Sequence, residues 1–331
     1  MANPSGTGSE LPAVSEGNLH LVTSPHVHFG WSTARIMWLV TAALLPCLAV
    51  AVYHFGPGVL APVCGAIAGA VGTEWVLNRA GRRPDTIADG SAFLTGLLLG
   101  MIVPPGFSPV HAALGGVVAI GLGKAVFGGL GHNTFNPALV GRAFLQASFP
   151  AGMTDWSTAV ARVDAVSRAT PLGLLKFGDP SQFPADLATE RLLAGNIGGC
   201  IGETSAAAIL LGGVILVATR IASWHIIVSM LAGGALFGGL FHLAGVGPSP
   251  LFHLLSGGFL FGAVFMATDY VSSPLTHRGQ WIFGLGIAFL TIMIRLFGGL
   301  PEGVMYAILL ANAAVPLINR ATRPTIYGAK R

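Results

Sequence analysis

Charge is so scarce in this chain that it cannot cover a water-facing surface. Only 9% of its 331 residues are Asp, Glu, Lys or Arg, against about a quarter in soluble domains. Those few are bunched between long apolar runs. Runs near the ~20 residues needed to cross a bilayer occur at 33–55, 57–77, 89–103, 110–127 and 136–150, and again at 204–219, 224–244, 251–268, 281–297 and 303–318. The third and fifth are short enough to be half-buried or broken helices. Hydrocarbon tolerates no unpaired backbone, so such runs must be helical. The prediction is an all-α polytopic membrane protein with about ten transmembrane helices. Glycines at four-residue spacing, Gly65/Gly69, Gly96/Gly100, Gly234/Gly238 and Gly258/Gly262, permit close approach of helices, and packing without chemistry is the simplest reading of them.

Basic residues orient the spans, because short cytoplasmic loops carry excess Lys and Arg. Arg35, Arg79, Arg82, Arg83, Lys124, Arg220, Arg278, Arg320, Arg323, Lys330 and Arg331 all fall on one side if both termini are cytoplasmic. Arg295, near the outer end of the ninth run, is the exception. The first 30 residues are polar, with no apolar core region of a cleavable signal, and read as a cytoplasmic tail. The expected organisation is a tail over 1–30, a first five-helix repeat over 31–150, a periplasmic loop over 151–200, a second five-helix repeat over 201–319 and a cytoplasmic tail over 320–331. The expected location is a bacterial inner membrane.

Two echoes mark the halves as repeats. Phe93-Leu-Thr-Gly96 matches Phe259-Leu-Phe-Gly262, and Phe127-Gly-Gly-Leu130 matches Phe297-Gly-Gly-Leu300, at offsets of 166 and 170 residues. Both pairs lie five spans apart. Five is odd, so the second half enters the membrane upside down relative to the first, an arrangement that places functional elements where repeats meet.

Few residues are equipped for chemistry. Cys47, Cys64 and Cys200 are too scattered for a disulfide framework or a CxxC metal site. The histidines show no repeated pair spacing of the kind axial haem ligation requires, and no HExxH, Walker loop or Rossmann glycine motif is present. Charged groups in or beside spans are costly and therefore functional candidates: Glu74, Asp89, Lys124, Arg142, Asp269, Arg295 and Glu302. Most stand near a predicted interface, where snorkelling or helix capping explains them most simply. Asp269, which precedes a Ser-Ser-Pro turn, and Asp89 are the first choices for an ion path.

The 151–200 loop is the one long solvated segment, and it contains Asp164-Ala-Val-Ser167-Arg168-Ala-Thr170-Pro171. Proline holds the preceding Thr170 in extended geometry. The segment resembles the Asp-x-x-Ser/Thr-Gly-Ala-Thr motif at which FMN is attached through its phosphate to threonine. Three further stretches, Gly131-His-Asn-Thr-Phe-Asn-Pro-Ala138, Phe265-Met-Ala-Thr-Asp269 through Pro274, and Pro301-Glu-Gly-Val-Met-Tyr-Ala-Ile-Leu-Leu310, are similar to signatures of the D subunit of the Rnf complex. That complex is an ion-translocating ferredoxin:NAD oxidoreductase, and its D subunit is related to the B subunit of the sodium-pumping NADH:quinone oxidoreductase. The resemblance spans about residues 24–319.

The resemblance implies FMN esterified at Thr170 by a flavin transferase, with Asp164 and Ser167 at flanking motif positions. It also implies a second flavin, riboflavin held non-covalently, and partner subunits carrying iron–sulfur centres and flavins. Electrons would pass between ferredoxin and NAD while Na⁺ or H⁺ is pumped outward. Nucleic acid has no place in it. Arg168 stands where the motif has glycine or another small residue; a guanidinium there can fork onto phosphate oxygens or hinder the transferase. Two other readings stay open at this point. A five-plus-five inverted repeat also suits a urea-transporter-like transporter or solute channel, and a scaffold whose flavin site has decayed would keep the same spans.

Overall fold

A computed structural model describes residues 31–82, 86–155, 170–177 and 199–324. Every regular element among them is helical. Five helices are long and apolar enough to cross a membrane: α1 (Thr33–Phe55), α2 (Leu60–Ala80, entered through a 3-10 turn at Pro57–Val59), α9 (Trp224–Leu243), α12 (His277–Phe297) and α13 (Val304–Ala321). Three shorter apolar helices join them: α3 (Ser91–Met101), α4 (Pro109–Ile120) and α8 (Ala206–Ala218). The chain is thus a multi-pass, all-helical membrane protein. The shortness expected of the third and fifth runs holds: α3 stops at Met101, and α5 (Pro137–Ser148) is followed by the short helices α6 (Pro150–Thr154) and α7 (Pro171–Phe177).

Local sequence sets the helix starts. Asn136 accepts from the backbone N–H of Ala138 at 3.0 Å and Leu139 at 3.4 Å, ahead of Pro137 at the first turn of α5. Ser205 and Thr276 cap α8 and α12 in the same way. These side chains satisfy N–H groups that lack a partner in the first turn.

Small residues bring the helices together. A Cβ on Gly96 would stand 2.6 Å from the Ile67 Cα, and one on Gly100 2.8 Å from the Val63 Cα. Gly65 and Gly69 likewise meet the backbone of Pro109 and Ala113, so α2 lies directly on both α3 and α4. In the second half Gly233 meets Ala288, which seats α9 on α12. Gly258 departs from the packing reading: the atom facing it is the Glu203 carboxylate.

The eighth run is not the continuous helix that 251–268 suggests. It forms α10 (Pro250–Leu255), breaks at Ser256–Gly258, and resumes as α11 (Phe259–Phe261), which passes into a π turn at Gly262–Met266. Gly257 takes φ +63, a conformation that glycine adopts without a Cβ penalty. The break leaves carbonyls at the end of α10 unpaired, and Arg295 of α12 donates to two of them, His253 O and Ser256 O at 2.9 Å. A guanidinium thereby supplies what a broken helix lacks inside a membrane.

The charged span residues are also placed differently from expectation. Glu74, Lys124, Arg142 and Arg295 are buried, not snorkelling. Lys124, in a π turn that prolongs α4 (Gly121–Ala125), donates to Glu74 at 2.8 and 3.0 Å and to Ser91 at 2.7 Å. Thr86 donates to the same carboxylate and Asn78 to Thr86. Every one of these groups is used within the bundle, which is how a buried charge is tolerated. Asp89 behaves as capping predicts: it accepts from the Ser91 N–H at 2.7 Å at the start of α3.

Candidate functional site

Thr170 sits at the N-terminal edge of α7, buried, with its Oγ1 accepting from the Gly173 N–H at 3.0 Å. A helix of seven residues is far below the roughly 12–15 at which an isolated helix becomes marginal. Contacts with the bundle therefore hold it. Leu172 is buried against Phe252, with Leu175 and Leu255 alongside. Lys176 Nζ donates to three carbonyls, Ile294 O at 3.1 Å, Arg295 O at 2.8 Å and Leu300 O at 3.3 Å. The first two lie in the last turn of α12, where carbonyls lack helical partners and the helix dipole favours a cation. The segment is thus fastened at both ends.

Thr170 opens onto a cavity of about 380 Å³. Apolar surface from Met153, Phe177, Pro301 and Met305 lines it, with Tyr306 and the polar groups of Gln146, Arg142 and Glu302. The residues fit a tethered ring system: a hydroxyl at the rim to form the ester, apolar and aromatic walls for a flat heterocycle, and an amide and a phenol able to hydrogen-bond it. Of the motif residues read with Thr170, Asp164, Ser167 and Arg168 lie outside the described residues. Asp269 and Asp89 are not brought to this cavity. Asp269 lines a separate, smaller one of about 110 Å³ with Lys124, Ser91 and Asn136, and its carboxylate accepts from Ser272 Oγ at 2.8 Å and the Val271 N–H at 3.5 Å.

Behind the cavity wall is a charged group that the sequence reading only partly assembled. Arg142 of α5 pairs with Glu302, in the turn between α12 and α13, across 160 residues of chain. The nitrogen that bonds Glu302 is also 3.5 Å from Cys200 Sγ, and the second terminal nitrogen lies 3.7 Å from Glu203. Arg142 and Glu302 are among the charged residues singled out above; Glu203 is not. The signal was a carboxylate one residue before the apolar run at 204–219. Burial, then the like charge of Glu302, pushes the Glu203 carboxyl well above the ordinary value, against the pull of Arg142. Cys200 is buried here and not simply apolar filler, since its Sγ lies 3.5 Å from the Arg142 guanidinium.

Residues 20–328 match the family described as NQR2, RnfD, RnfE. The chain belongs to that family. The D subunit of the proton-translocating ferredoxin:NAD(+) oxidoreductase complex of Clostridium ljungdahlii is 44% identical to this family member over 319 residues, covering 93% of this chain and 96% of its own. Its counterpart in the Na(+)-translocating ferredoxin:NAD(+) oxidoreductase complex of Acetobacterium woodii is 46% identical over 319 residues, covering 96% and 98%. The corresponding component of an ion-translocating oxidoreductase complex of Pseudomonas aeruginosa is 38% identical over 338 residues, covering 93% and 96%.

Proposed function

We propose that this family member is the D subunit of an ion-translocating ferredoxin:NAD oxidoreductase complex and carries FMN in phosphoester linkage to Thr170. The observation that carries the reading is the Thr170 hydroxyl at the rim of an aromatic-walled cavity, in a chain whose relatives from such complexes match it nearly end to end. When bound, the flavin supplies the electron-transfer chemistry. The chain's own residues do the rest. Thr170 fixes the tether point, and Leu172 and Lys176 hold that point against the bundle. Tethering keeps the group at high effective concentration beside its electron-transfer partners. The apolar walls exclude water from the ring.

The same reading puts both termini in the cytoplasm, the 151–200 loop on the periplasmic side of the inner membrane, and a dedicated flavin transferase there to load Thr170. It keeps ten spans in two inverted five-helix repeats. Packing partners support this: the packed pairs α2 with α4, α2 with α3 and α4 with α5 of the first half have counterparts five spans on, α9 with α12, α9 with α10 and α12 with α13. Iron–sulfur and flavin subunits of the complex are the expected partners. Thr170→Ala in the intact complex tests the reading. Ferredoxin-driven NAD reduction is expected to be lost while the complex still assembles; full activity without the hydroxyl removes the flavin from the electron path.

A further inference from the structure

The tether does not use the charged group behind the cavity. Cys200, Glu203 and Glu302 offer a sulfur and two carboxylate oxygens within 4.8 Å of one another, which invites a metal. Arg142 argues against one. Its guanidinium already stands among these atoms, bonded to Glu302 and 3.5 Å from Cys200 Sγ. A second cation would share the same few ångströms.

The geometry suits a proton instead. Glu302 lines the cavity with its side chain 24% exposed, whereas the Glu203 side chain, behind it, is 2% exposed. Neither Glu203 oxygen accepts a hydrogen bond from an N–H group, and the side chains beside it are Cys200 and Glu302. The nearby cations hydrogen-bond other groups: Arg142, 3.7 Å from Glu203 Oε1, bonds Glu302, and Arg295 bonds the His253 and Ser256 carbonyls. Gly258 leaves room for the Glu203 head group, since a Cβ there would stand 2.6 Å from Oε1. A charged carboxylate whose nearest donors are a weak one, the Cys200 thiol, and an Arg142 nitrogen at 3.7 Å carries a heavy desolvation penalty. A protonated one can give its O–H to the neighbouring Glu302 carboxylate, because two carboxyls this close cannot both ionise without cost.

We propose that Glu203 and Glu302 share one proton and exchange it with the redox group in the Thr170 cavity, Glu203 as the store and Glu302 as the carrier. The proposal rests on Thr170 bearing a flavin. The balance is one proton per electron. As a one-electron donor of the iron–sulfur class reduces the group, the Glu203 O–H breaks and its proton passes to Glu302. Glu302 would then give a proton to the reduced group and return to carboxylate beside Arg142, and Glu203 is left as carboxylate facing Arg142 at 3.7 Å. Reoxidation runs the transfers backwards. Beside Glu302, the groups facing Glu203 are Arg142 from α5, Cys200 from the preceding segment and, electrostatically, Arg295 from α12.

The test uses the assembled complex and three readouts. In a flavin-free Thr170→Ala complex at neutral pH, the infrared carbonyl band of a protonated carboxylic acid is expected to lose intensity in Glu203→Gln. In the flavin-bearing complex, chemical reduction of the tethered flavin by dithionite in stopped flow is expected to slow about a hundredfold in Glu203→Gln, the scale of general acid catalysis, and to recover with added formic acid. An infrared band that Glu203→Gln leaves unchanged overturns the proposal, as does an unchanged reduction rate or a slow one that formic acid does not restore. Fluorescence of the denatured chain separates the underlying reading. A dark wild-type band refutes the flavin at Thr170 and the exchange with it, while the infrared arm still reports on the Glu203 proton by itself.

Discussion

Lys176→Met is the perturbation that most directly probes how Thr170 is held. The substitution keeps much of the side chain's length and apolar stem but removes three N–H···O bonds from an ammonium to carbonyls at 2.8 to 3.3 Å. Bonds to a charged group contribute about 1.5–3 kcal/mol each when well formed. Lys176 is only partly buried, so water competes for it and the three together are worth about 2 kcal/mol instead of their sum. Because α7 is too short to stand alone, whatever detaches it also unfolds it. Each 1.4 kcal/mol is a tenfold change in equilibrium, so about 2 kcal/mol raises the detached population roughly thirtyfold. Amide hydrogen exchange over 171–177 is the assay: a rate increase near thirtyfold is expected there, with α12 and α13 unchanged. Exchange at the wild-type rate would refute the clamp. Equal acceleration throughout the bundle would show instead that Lys176 supports the whole fold.

Other expectations follow from the same contacts. Gly96→Val forces a side chain onto the Ile67 backbone; overpacking of this kind costs about 1–3 kcal/mol, read as a lowered melting temperature in detergent, whereas Gly72→Ala, which meets open space, leaves it unchanged. Gly257→Ala combines strain at φ +63 with a Cβ 2.6 Å from Leu172 Cδ1, so exchange over 171–177 is expected to rise as it does in Lys176→Met. The raised Glu203 value has a definite sign in linkage. The folded state holds that proton more tightly than the unfolded state, so the stabilisation is complete below the ordinary carboxylate value of 4.5 and is lost as pH climbs towards the folded value. Glu203→Gln is therefore expected to gain stability relative to wild type as pH rises from 5 to 9 and to gain none at pH 4; a constant difference across that range would contradict it.

Much of the architecture was legible because it depends on apolar length alone. Residues 33–55 read as one span and form one helix with those bounds. The break in 251–268 was hidden for the same reason: Ser256-Gly257-Gly258 stands between Leu254-Leu255 and Phe259-Leu260-Phe261, and hydropathy does not register φ. The fates of the charged residues were illegible in a different way. Asp89 caps a turn two residues away, and capping is a local property that sequence displays. Lys124 finds Glu74 50 residues off and Arg142 finds Glu302 160 residues off, and no local pattern announces such partners. Thr170 was legible as a motif, while the cavity it faces is assembled from α5, α6, α7 and the start of α13, and only the fold brings these together.

One covalent bond decides the flavin assignment. Mass spectrometry of the proteolytic peptide containing Thr170, from protein expressed with the flavin transferase, is expected to show an FMN-sized adduct on that threonine and none in Thr170→Ala. An unmodified Thr170 peptide, or an adduct on another residue, would contradict it.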